Sequence, residues 1–456
     1  MSLRCRQFEV ACPIVVLLLC ATIAAAAETN AHWEIAPYRI RAVLAVDAPG
    51  DQRKQLELKL STYLDERVVA TIGAPWRLEA EVSSGPLREK LLRNLDGLSE
   101  GDTGGQSAHD KIVFLSVAST PWGYRLSARE FDRFTQRWNA TLESTTRQRD
   151  ALPEELFALV RRAITPLAKL ESRPNDSRHV AMTMRASALP PKSADFRWAE
   201  EGDVFLPLVR HTTREGALAD DGIQTVPWTF IEVLPVDGSA VTDDGQVNPF
   251  VGRVHSGVPA PLSRRRRART EQVAIALRPG ESTDLTVRLR SRSDEAKPLV
   301  GYEVLAQTPG DDELQLVGVS DDDGEVHVAS GASNVQLLTV KSAGSVLARV
   351  PVVPGMGGRI EIPLPDDDVR LRAAARLASL REDLVDLVAR RNIYTARVRQ
   401  QIQEGNLDRA RELLAALDQL PGRTHFSRVL DREAQQHRSS DPQVQRRIDE
   451  LFSATQ

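Results

Sequence analysis

The stretch from Pro298 to Gly355 alternates apolar and polar residues in short runs. The alternating apolar positions are Tyr302, Val304 and Ala306; Leu314 and Leu316; Val326 and Val328; and Val335 and Leu337. The runs are separated by Pro309-Gly310-Asp311, Asp322-Asp323-Gly324 and Ala343-Gly344-Ser345, residues that favour tight turns. Because a period of two is typical of strands with one buried face, this stretch predicts a small all-β module.

The length and charge of the chain limit its class. A chain of 456 residues is too long for one hydrophobic core and predicts about three domains. Charged residues make up 27% and hydrophobic residues 41%, as in soluble globular proteins rather than disordered or membrane ones. The net charge of -4 is small for this length, so it indicates neither a nucleic-acid-binding protein nor a strongly acidic tail.

Residues 1–27 have the features of a secretory signal peptide. Arg4 and Arg6 give a positive start, Pro13 to Ile23 form an apolar core, and Ala24 to Ala27 supply the small residues that signal peptidase recognises. The apolar run is too short for a membrane span of about 20 residues, which favours cleavage over an uncleaved anchor. No second apolar span follows. We therefore expect an exported protein, either periplasmic or extracellular, without a transmembrane span.

All three cysteines, Cys5, Cys12 and Cys20, lie inside this predicted signal peptide. The mature chain then contains none, which excludes disulfide bonds, cysteine-ligated metal sites and a thiol nucleophile. Its stability must come from hydrophobic cores, which a chain of this length can build.

The segment 33–171 predicts an α/β domain, with a mixed sheet and helices packed on it in the order β-α-β-α-β-β-β-α. Its central strand is the continuous apolar run from Ile112 to Ala118, which is typical of a strand covered on both faces. The last helix starts at Pro153. Its apolar positions are Leu156, Val160, Ala163, Leu167 and Leu170.

Further domains are predicted after a short linker at Ser172 to Arg178. Many short strands with turn signals between them indicate a β-barrel or sandwich domain at 179–279, in which the span from Val247 to Arg269 is expected to be a long loop. The alternating β module occupies 280–365. An α-helical domain is expected at 366–456.

The C-terminal domain predicts helical hairpins. Asp366-Asp367-Asp368 supplies an N-cap and negative charge at the start of the first helix. A row of apolar residues from Leu377 to Val398 repeats every three to four residues, which suits either a coiled-coil dimer or packing on a neighbouring helix. Because a complementary helix follows directly, an intramolecular hairpin is favoured.

Two motifs carry a family resemblance: PLVGYEV, from Pro298 to Val304, and GVSDDDGEV, from Gly318 to Val326. With them, residues 280–365 resemble the transthyretin-like β-sandwich of the carboxypeptidase regulatory-like family. We assign the alternating strand Thr283 to Leu289 to this module. The family is non-catalytic, so the resemblance implies a scaffold or binding role. The whole chain also resembles uncharacterised secreted proteins of planctomycete-type bacteria, which implies no activity.

We predict no catalytic, cofactor-binding or metal-ligating residue. No two of the eight histidines lie within four residues of each other, so no histidine zinc motif is present. A Gly-x-Ser-x-Gly nucleophile elbow is also missing from the sequence. Asp321-Asp322-Asp323 offers oxygens for Ca²⁺ but lacks the rest of a calcium loop, so a hairpin turn is favoured.

The densest charge run is Arg264-Arg265-Arg266-Arg267. It offers a contact to an anionic surface such as lipid or polysaccharide. No aromatic residue interleaves with it, and an exported protein rarely meets nucleic acid. We therefore expect a solvated loop and no nucleic-acid partner.

These features favour an exported, non-enzymatic scaffold or protein-interaction protein of the bacterial cell envelope, with an envelope protein as partner and no cofactor. One alternative is a secreted or periplasmic hydrolase whose site is assembled from scattered residues of the segment 33–171. A further alternative is a component of a periplasmic secretion or appendage ring, because small α/β and β domains follow one another in series.

Overall fold

A computed structural model describes most of the chain after the predicted signal peptide. The described ranges are 32–105, 108–173, 176–214, 217–235, 250–262, 269–278, 285–329, 334–355 and 358–455. The signal peptide expected at 1–27 and the basic run Arg264 to Arg267 lie outside the described residues.

The first structural unit, the α/β unit, is a mixed sheet with packed helices. Its elements are β1 (Tyr38–Asp47), α1 (Gly50–Thr71), β2 (Trp76–Val82), α2 (Gly85–Arg93), β3 (Lys111–Thr120), β4 (Gly123–Asp132), β5 (Arg137–Trp138), β6 (Leu142–Thr146) and α3 (Leu152–Ala163). The sheet order is β2-β1-β3-β4-β5, with β6 also paired to β4. The strands β2, β1 and β3 run parallel, and the remaining pairings are antiparallel.

The central strand β3 is mostly apolar from Ile112 to Ala118 because its two sides face two different cores. Val113 and Leu115 pack in the core that contains α1 and α3. Ile112 and Phe114 pack on the opposite side, beneath α2. The burial of both faces that the sequence predicts for this strand is confirmed.

The second unit is a closed barrel. Its elements are β7 (Leu167–Arg173), β8 (Asp176–Met184), β9 (Val204–Thr212), β10 (Leu218–Thr225), β11 (Thr229–Val233), β12 (Phe250–Ser256) and β13 (Thr270–Ala276). Six strands follow one another in the order β9-β11-β12-β8-β7-β13, and β13 pairs back to β9. The strand β10 adds to the outside of this ring by pairing with β9. Closure leaves the six barrel strands without a free edge.

The helix expected to run to Leu170 ends at Ala163 instead. Ile164 has left the helical region, with ψ at 119°, and Thr165 precedes Pro166. A residue before proline avoids the helical conformation, and proline has no N–H for the helix ladder. Leu167 and Leu170 therefore lie in β7. The linker expected at Ser172 to Arg178 falls on the paired ends of β7 and β8.

The long loop expected between Val247 and Arg269 contains a barrel strand, β12. The apolar pattern of β12 is broken by Gly252, which hides the strand in the sequence. A Cβ atom at Gly252 would overlap Ile231 Cγ2 and Met182 Sδ, so neighbouring side chains occupy the space. Glycine marks a close approach here rather than a turn.

The third unit consists of two facing sheets. Its strands are β14 (Leu285–Ser291), β15 (Glu303–Gln307), β16 (Gln315–Val319), β17 (Glu325–Val328), β18 (Gln336–Ser342), β19 (Ser345–Val352) and β20 (Arg359–Leu364). One sheet has the order β17-β14-β20 and the other β16-β15-β18-β19. Val287 and Ile362 from the first sheet share a core with Val304 and Leu338 from the second.

The Asp-rich motif forms a turn rather than a metal loop. Asp321 Oδ1 accepts the backbone N–H groups of Asp323 at 3.0 Å and of Glu325 at 2.8 Å. Gly324 takes a φ of 75°, which favours glycine. The turn joins β16 to β17, and these strands belong to different sheets. The expected hairpin at this place is therefore a sheet-to-sheet crossing.

The C-terminal unit has four helices: α4 (Asp368–Gln403), α5 (Leu407–Asp418), α6 (Arg423–Gln436) and α7 (Pro442–Ser453). The first part of α4 packs on α7 through Leu377 and Ile448. Its last part packs against α5, as the predicted hairpin requires. The mixed α/β architecture with C-terminal helices is confirmed. No helix in the described ranges is long and apolar enough to cross a membrane.

The three carboxylates at the start of α4 all form ion pairs. Asp367 makes no side-chain cap and instead accepts Arg370 Nε at 2.8 Å. Lys297 Nζ lies 2.5 Å from Asp366 and 2.6 Å from Asp368. Asp367 is the N-cap residue and Asp368 adds negative charge to the first turn, as predicted, but the Asp367 carboxylate pairs with Arg370 and does not cap the helix. Asp366 Oδ1 accepts the N–H of Asp368 at 3.0 Å. The two pairs of Lys297 attach α4 to the two-sheet unit.

Candidate binding cleft

A surface cleft with a volume of about 500 Å³ lies between the α/β unit and the barrel. The last turn of α3 lines one part of it. The segment 195–203, which leads into β9, lines another part. Just before this segment the chain is bound to the end of α1, because Ser193 N donates to Thr71 O at 2.8 Å. The segment that lines the cleft is therefore anchored to the end of α1.

Four aromatic side chains form a continuous row in this cleft. The ring centroids of Trp76 and Phe196 are 5.8 Å apart, and those of Phe196 and Trp198 are 5.0 Å apart, both edge to face. Trp198 lies 5.9 Å from Tyr38. The row forms because Tyr38 and Trp76 are register partners at the amino ends of the parallel strands β1 and β2. Edge-to-face rings contribute packing energy beyond burial alone.

Charged side chains of both signs surround the aromatic row. Arg161 and Arg162 lie exposed in the last turn of α3, where cations suit the helix dipole. Arg197 is exposed beside Phe196. Arg278 is already paired with Asp203, at 3.2 Å. The three remaining arginines face the exposed acids Asp195 and Glu200 around the cleft.

A fully buried ionic network lies next to the cleft. Lys111 Nζ is 2.6 Å from Glu130 Oε1 and 2.5 Å from Asp132 Oδ2, and all three side chains are inaccessible to solvent. Glu130 Oε2 also accepts Thr165 Oγ1 at 2.7 Å. Asp132 Oδ1 accepts a hydrogen bond from the Thr135 hydroxyl at 2.7 Å. Each carboxylate is thus paired and hydrogen-bonded, as burial requires.

This network shifts the pKa values of its members. Burial lowers the pKa of Lys111, but the attraction of Asp132 and Glu130 outweighs burial and raises it above the usual value. Burial raises the pKa of Glu130, and the opposing attraction of Lys111 does not cancel the shift. Burial likewise raises the pKa of Tyr38 to about 12. Because the network is closed to solvent, it orders the cleft wall and does not contact a ligand.

Tyr38 connects the network to the cleft and to the barrel. Its ring lies 5.5 Å from Lys111 Nζ, and its hydroxyl accepts the N–H of Leu167 at 2.8 Å. Arg185, just after β8, reaches back to Asp110 Oδ2 at 2.8 Å and lies 4.9 Å from the Tyr38 ring. The barrel and the α/β unit are therefore held together at the base of the cleft.

The residues that sequence patterns singled out do not meet in this cleft. The described residues contain no group of three or more His, Cys, Asp or Glu that could hold a metal. His179 pairs with Asp176 at 2.9 Å and His255 with Glu232 at 2.8 Å, at separate places in the barrel. The local sequence signal for the cleft is the aromatic-arginine cluster from Phe196 to Trp198.

The ionic network was also not expected from the sequence. Lys111 and Asp132 are direct cross-strand partners in the β3–β4 pair, and Glu130 lies two residues along on the same face. A lysine opposite two alternating acids is a recognisable cross-strand pattern once the pairing register is known.

Comparisons with known proteins add little to this description. No family model matches the chain, and no curated protein matches it. Among solved structures, TolB from Acinetobacter baumannii is similar over 72% of this chain and 95% of that chain, with 10% identity and a TM-score of 0.19. The Bacillus anthracis TIE protein is similar over 49% of this chain and 46% of that one, with 11% identity and a TM-score of 0.15. TM-scores this low carry no argument about fold or function.

Proposed function

We propose that this protein is an exported, non-enzymatic scaffold of the bacterial cell envelope that holds a partner protein in the binding cleft. The observation that carries the proposal is the aromatic row with its arginine surround. Trp, Tyr and Arg are the residues most enriched at the energetic centres of protein interfaces. Their concentration in one cleft supports recognition of a polypeptide.

The rigidity of the cleft supports binding as its role. Lys111 and Arg185 fix Tyr38 from two sides, and Tyr38 in turn packs against Trp198. A preformed site loses little conformational entropy when a partner binds. Apolar side chains of the partner would pack on the half-buried Trp198 ring, which the buried rings of Tyr38 and Phe196 support. Charged groups of the partner would meet Arg162, Arg197 and the nearby acids.

In the same proposal, the two-sheet unit acts as a spacer between the barrel and the C-terminal helices. The seven strands of the two-sheet unit support a transthyretin-like β-sandwich at 280–365, a non-catalytic module in the family it resembles. The ion pairs of Lys297 with Asp366 and Asp368, and the hydrogen bond that Arg370 Nη2 donates to Ser342 O, fix α4 to this module. Export rests on the signal peptide expected at 1–27, and the basic run Arg264 to Arg267 is expected to be a solvated loop that this proposal does not need.

Site-specific photo-crosslinking in the native cell tests the proposal. A photoreactive amino acid replaces Arg162 or Arg197 in the cleft, or Arg125 on the exposed part of β4 as a control. We expect one envelope protein to crosslink from both cleft positions and not from Arg125. The substitution Trp198→Ala should abolish that crosslink while circular dichroism shows an unchanged fold.

Two results would contradict the proposal. Identical crosslinking patterns from Arg162 and Arg125 would mean that the cleft has no specific partner. Turnover of ester, glycoside or peptide substrates by the purified protein would favour a hydrolase, especially if the activity were lost on substitution of scattered residues in the segment 33–171.

A further inference from the structure

The edge strand β2 borders a second depression, which we call the edge groove. The groove has a volume of about 550 Å³, and Trp76, Pro37, Ala74 and Leu78 are among the residues that line it. Ile35 and Val69 also line it and are 55% and 60% exposed. Large apolar side chains in this position favour contact with a partner over contact with water.

The backbone of β2 is open for pairing beside this groove. Tyr38 N donates to Pro75 O, and Ser83 N donates to Leu44 O, so the odd-numbered residues of β2 turn their backbone toward β1. The even-numbered residues therefore direct their N–H and C=O groups outward. Asp65 Oδ1 accepts the outward N–H of Ala80 at 2.9 Å. Among the described residues, no hydrogen-bond partner is found for the outward backbone groups of Leu78.

The charged residues that line the edge groove are cations, although the acids Asp65 on α1 and Glu79 on β2 lie farther along this edge. Its charged lining residues in the described ranges are Arg77 and Lys192, both exposed. Glu79, the next acidic residue along β2, has a partner of its own, because its Oε2 lies 3.1 Å from His109 Nε2. An occupant with carboxylates would find unmatched cations beside the groove, which gives it an electrostatic preference over a basic one.

We propose that the edge groove binds an extended segment of a partner protein that alternates apolar and acidic residues. The segment adds a strand to β2 by pairing with Leu78, and one apolar side chain enters the groove beside Val69. Successive side chains of a strand point to opposite faces, so the flanking residues lie on the same sheet face as Arg77. Acidic side chains there pair with Arg77. This mode is β-strand addition, in which the backbone supplies affinity and the groove supplies selectivity.

Selection from a displayed library of random peptides tests the proposal with the mature protein. We expect the enriched peptides to alternate apolar residues with Asp or Glu. A synthetic copy of the most enriched peptide should slow hydrogen exchange at the Leu78 amide. The substitutions Leu78→Pro and Arg77→Glu should each weaken its binding about tenfold or more.

The variants separate edge pairing from loss of fold. The N–H of Leu78 faces outward, so proline there removes no bond to β1, and edge strands tolerate proline in such positions. Arg77→Glu changes only an exposed charge, and Arg125→Glu on β4 is the matched control that should leave binding unchanged. Unaltered binding by both Leu78→Pro and Arg77→Glu would overturn the proposal.

Other occupants would also overturn it. Failure to enrich any acidic peptide, together with a dimer that Leu78→Pro disrupts, would assign the groove to a second copy of the chain. Peptide binding only after removal of residues 28–31 would assign it to the chain's own N-terminus. Either result would leave the cleft proposal standing, because crosslinking at Arg162 reports on a different surface.

Discussion

Replacing Lys111 with methionine should strongly destabilise the α/β unit and the barrel. The substitution keeps the volume of the side chain but leaves Glu130 and Asp132 buried without their cation. Lys111 is completely buried and lies 2.5–2.6 Å from both carboxylates, so no water can replace it. Breaking a buried ion pair by removing one partner costs about 3 to 5 kcal/mol. We expect Lys111→Met to lower the free energy of unfolding by that amount at pH 7.

Denaturant unfolding followed by tryptophan fluorescence measures this loss. All six tryptophans lie in the α/β unit and the barrel, so the signal reports on this part of the chain. The control is Lys90→Met: Lys90 is half exposed and 2.6 Å from Asp102, and an exposed pair of this kind contributes about 1 kcal/mol or less.

The pH dependence of the variant gives a second test. Without Lys111, burial and the charge of Asp132 raise the pKa of Glu130 with no cation to oppose them. A raised carboxylate pKa means that the folded state takes up protons more readily, so stability should rise as the pH falls.

The triple variant Lys111→Met, Glu130→Gln, Asp132→Asn should recover most of the lost stability at pH 7. A loss below about 1 kcal/mol for Lys111→Met, or no gain at lower pH, would refute the reasoning.

Four further predictions follow from other features. The exported protein should begin at Glu28 by mass spectrometry, and a retained Met1 would contradict the signal peptide. Gly252→Ala should destabilise the barrel by about 1–3 kcal/mol in thermal unfolding, because its Cβ overlaps neighbouring side chains. The hydrogen bond from His255 lowers the pKa of Glu232 below its usual value, so the contribution of this carboxylate to stability is present above the usual pKa and is lost as the pH falls through the lowered pKa. Glu232→Gln should remove this loss. Alanine at Arg264 to Arg267 should leave envelope association in cell fractionation unchanged if this run is a solvated loop.

The strands and their buried residues could be predicted from the sequence where one face of a strand is buried and the other is exposed to solvent. The run at Val326 and Val328 shows this, because both side chains are buried in the shared core. In β16 the same reasoning fails. Leu316 is 63% exposed and Val317 packs against the core instead. The strand lies at a sheet edge, where few neighbours fix which side faces inward.

The binding cleft could not be predicted because long-range topology creates it. Tyr38 and Trp76 become neighbours through the parallel register of β1 and β2. Trp198 reaches them only because the chain leaves the barrel after β8 and crosses the sheet before β9. Local patterns carry no information about such a path. The ionic network at Lys111 has the same origin, since it depends on the pairing of β3 with β4.

The junction between α3 and β7 determines how the chain can be divided. Only Ile164, Thr165 and Pro166 separate the last helix of the α/β unit from the first barrel strand, and Thr165 is fully buried. One hydrophobic cluster continues across this junction, from Leu156 to Ile275. The two units should therefore melt in a single cooperative transition. Neither would remain folded as an expressed fragment, and recombination between related genes would have to transfer them together.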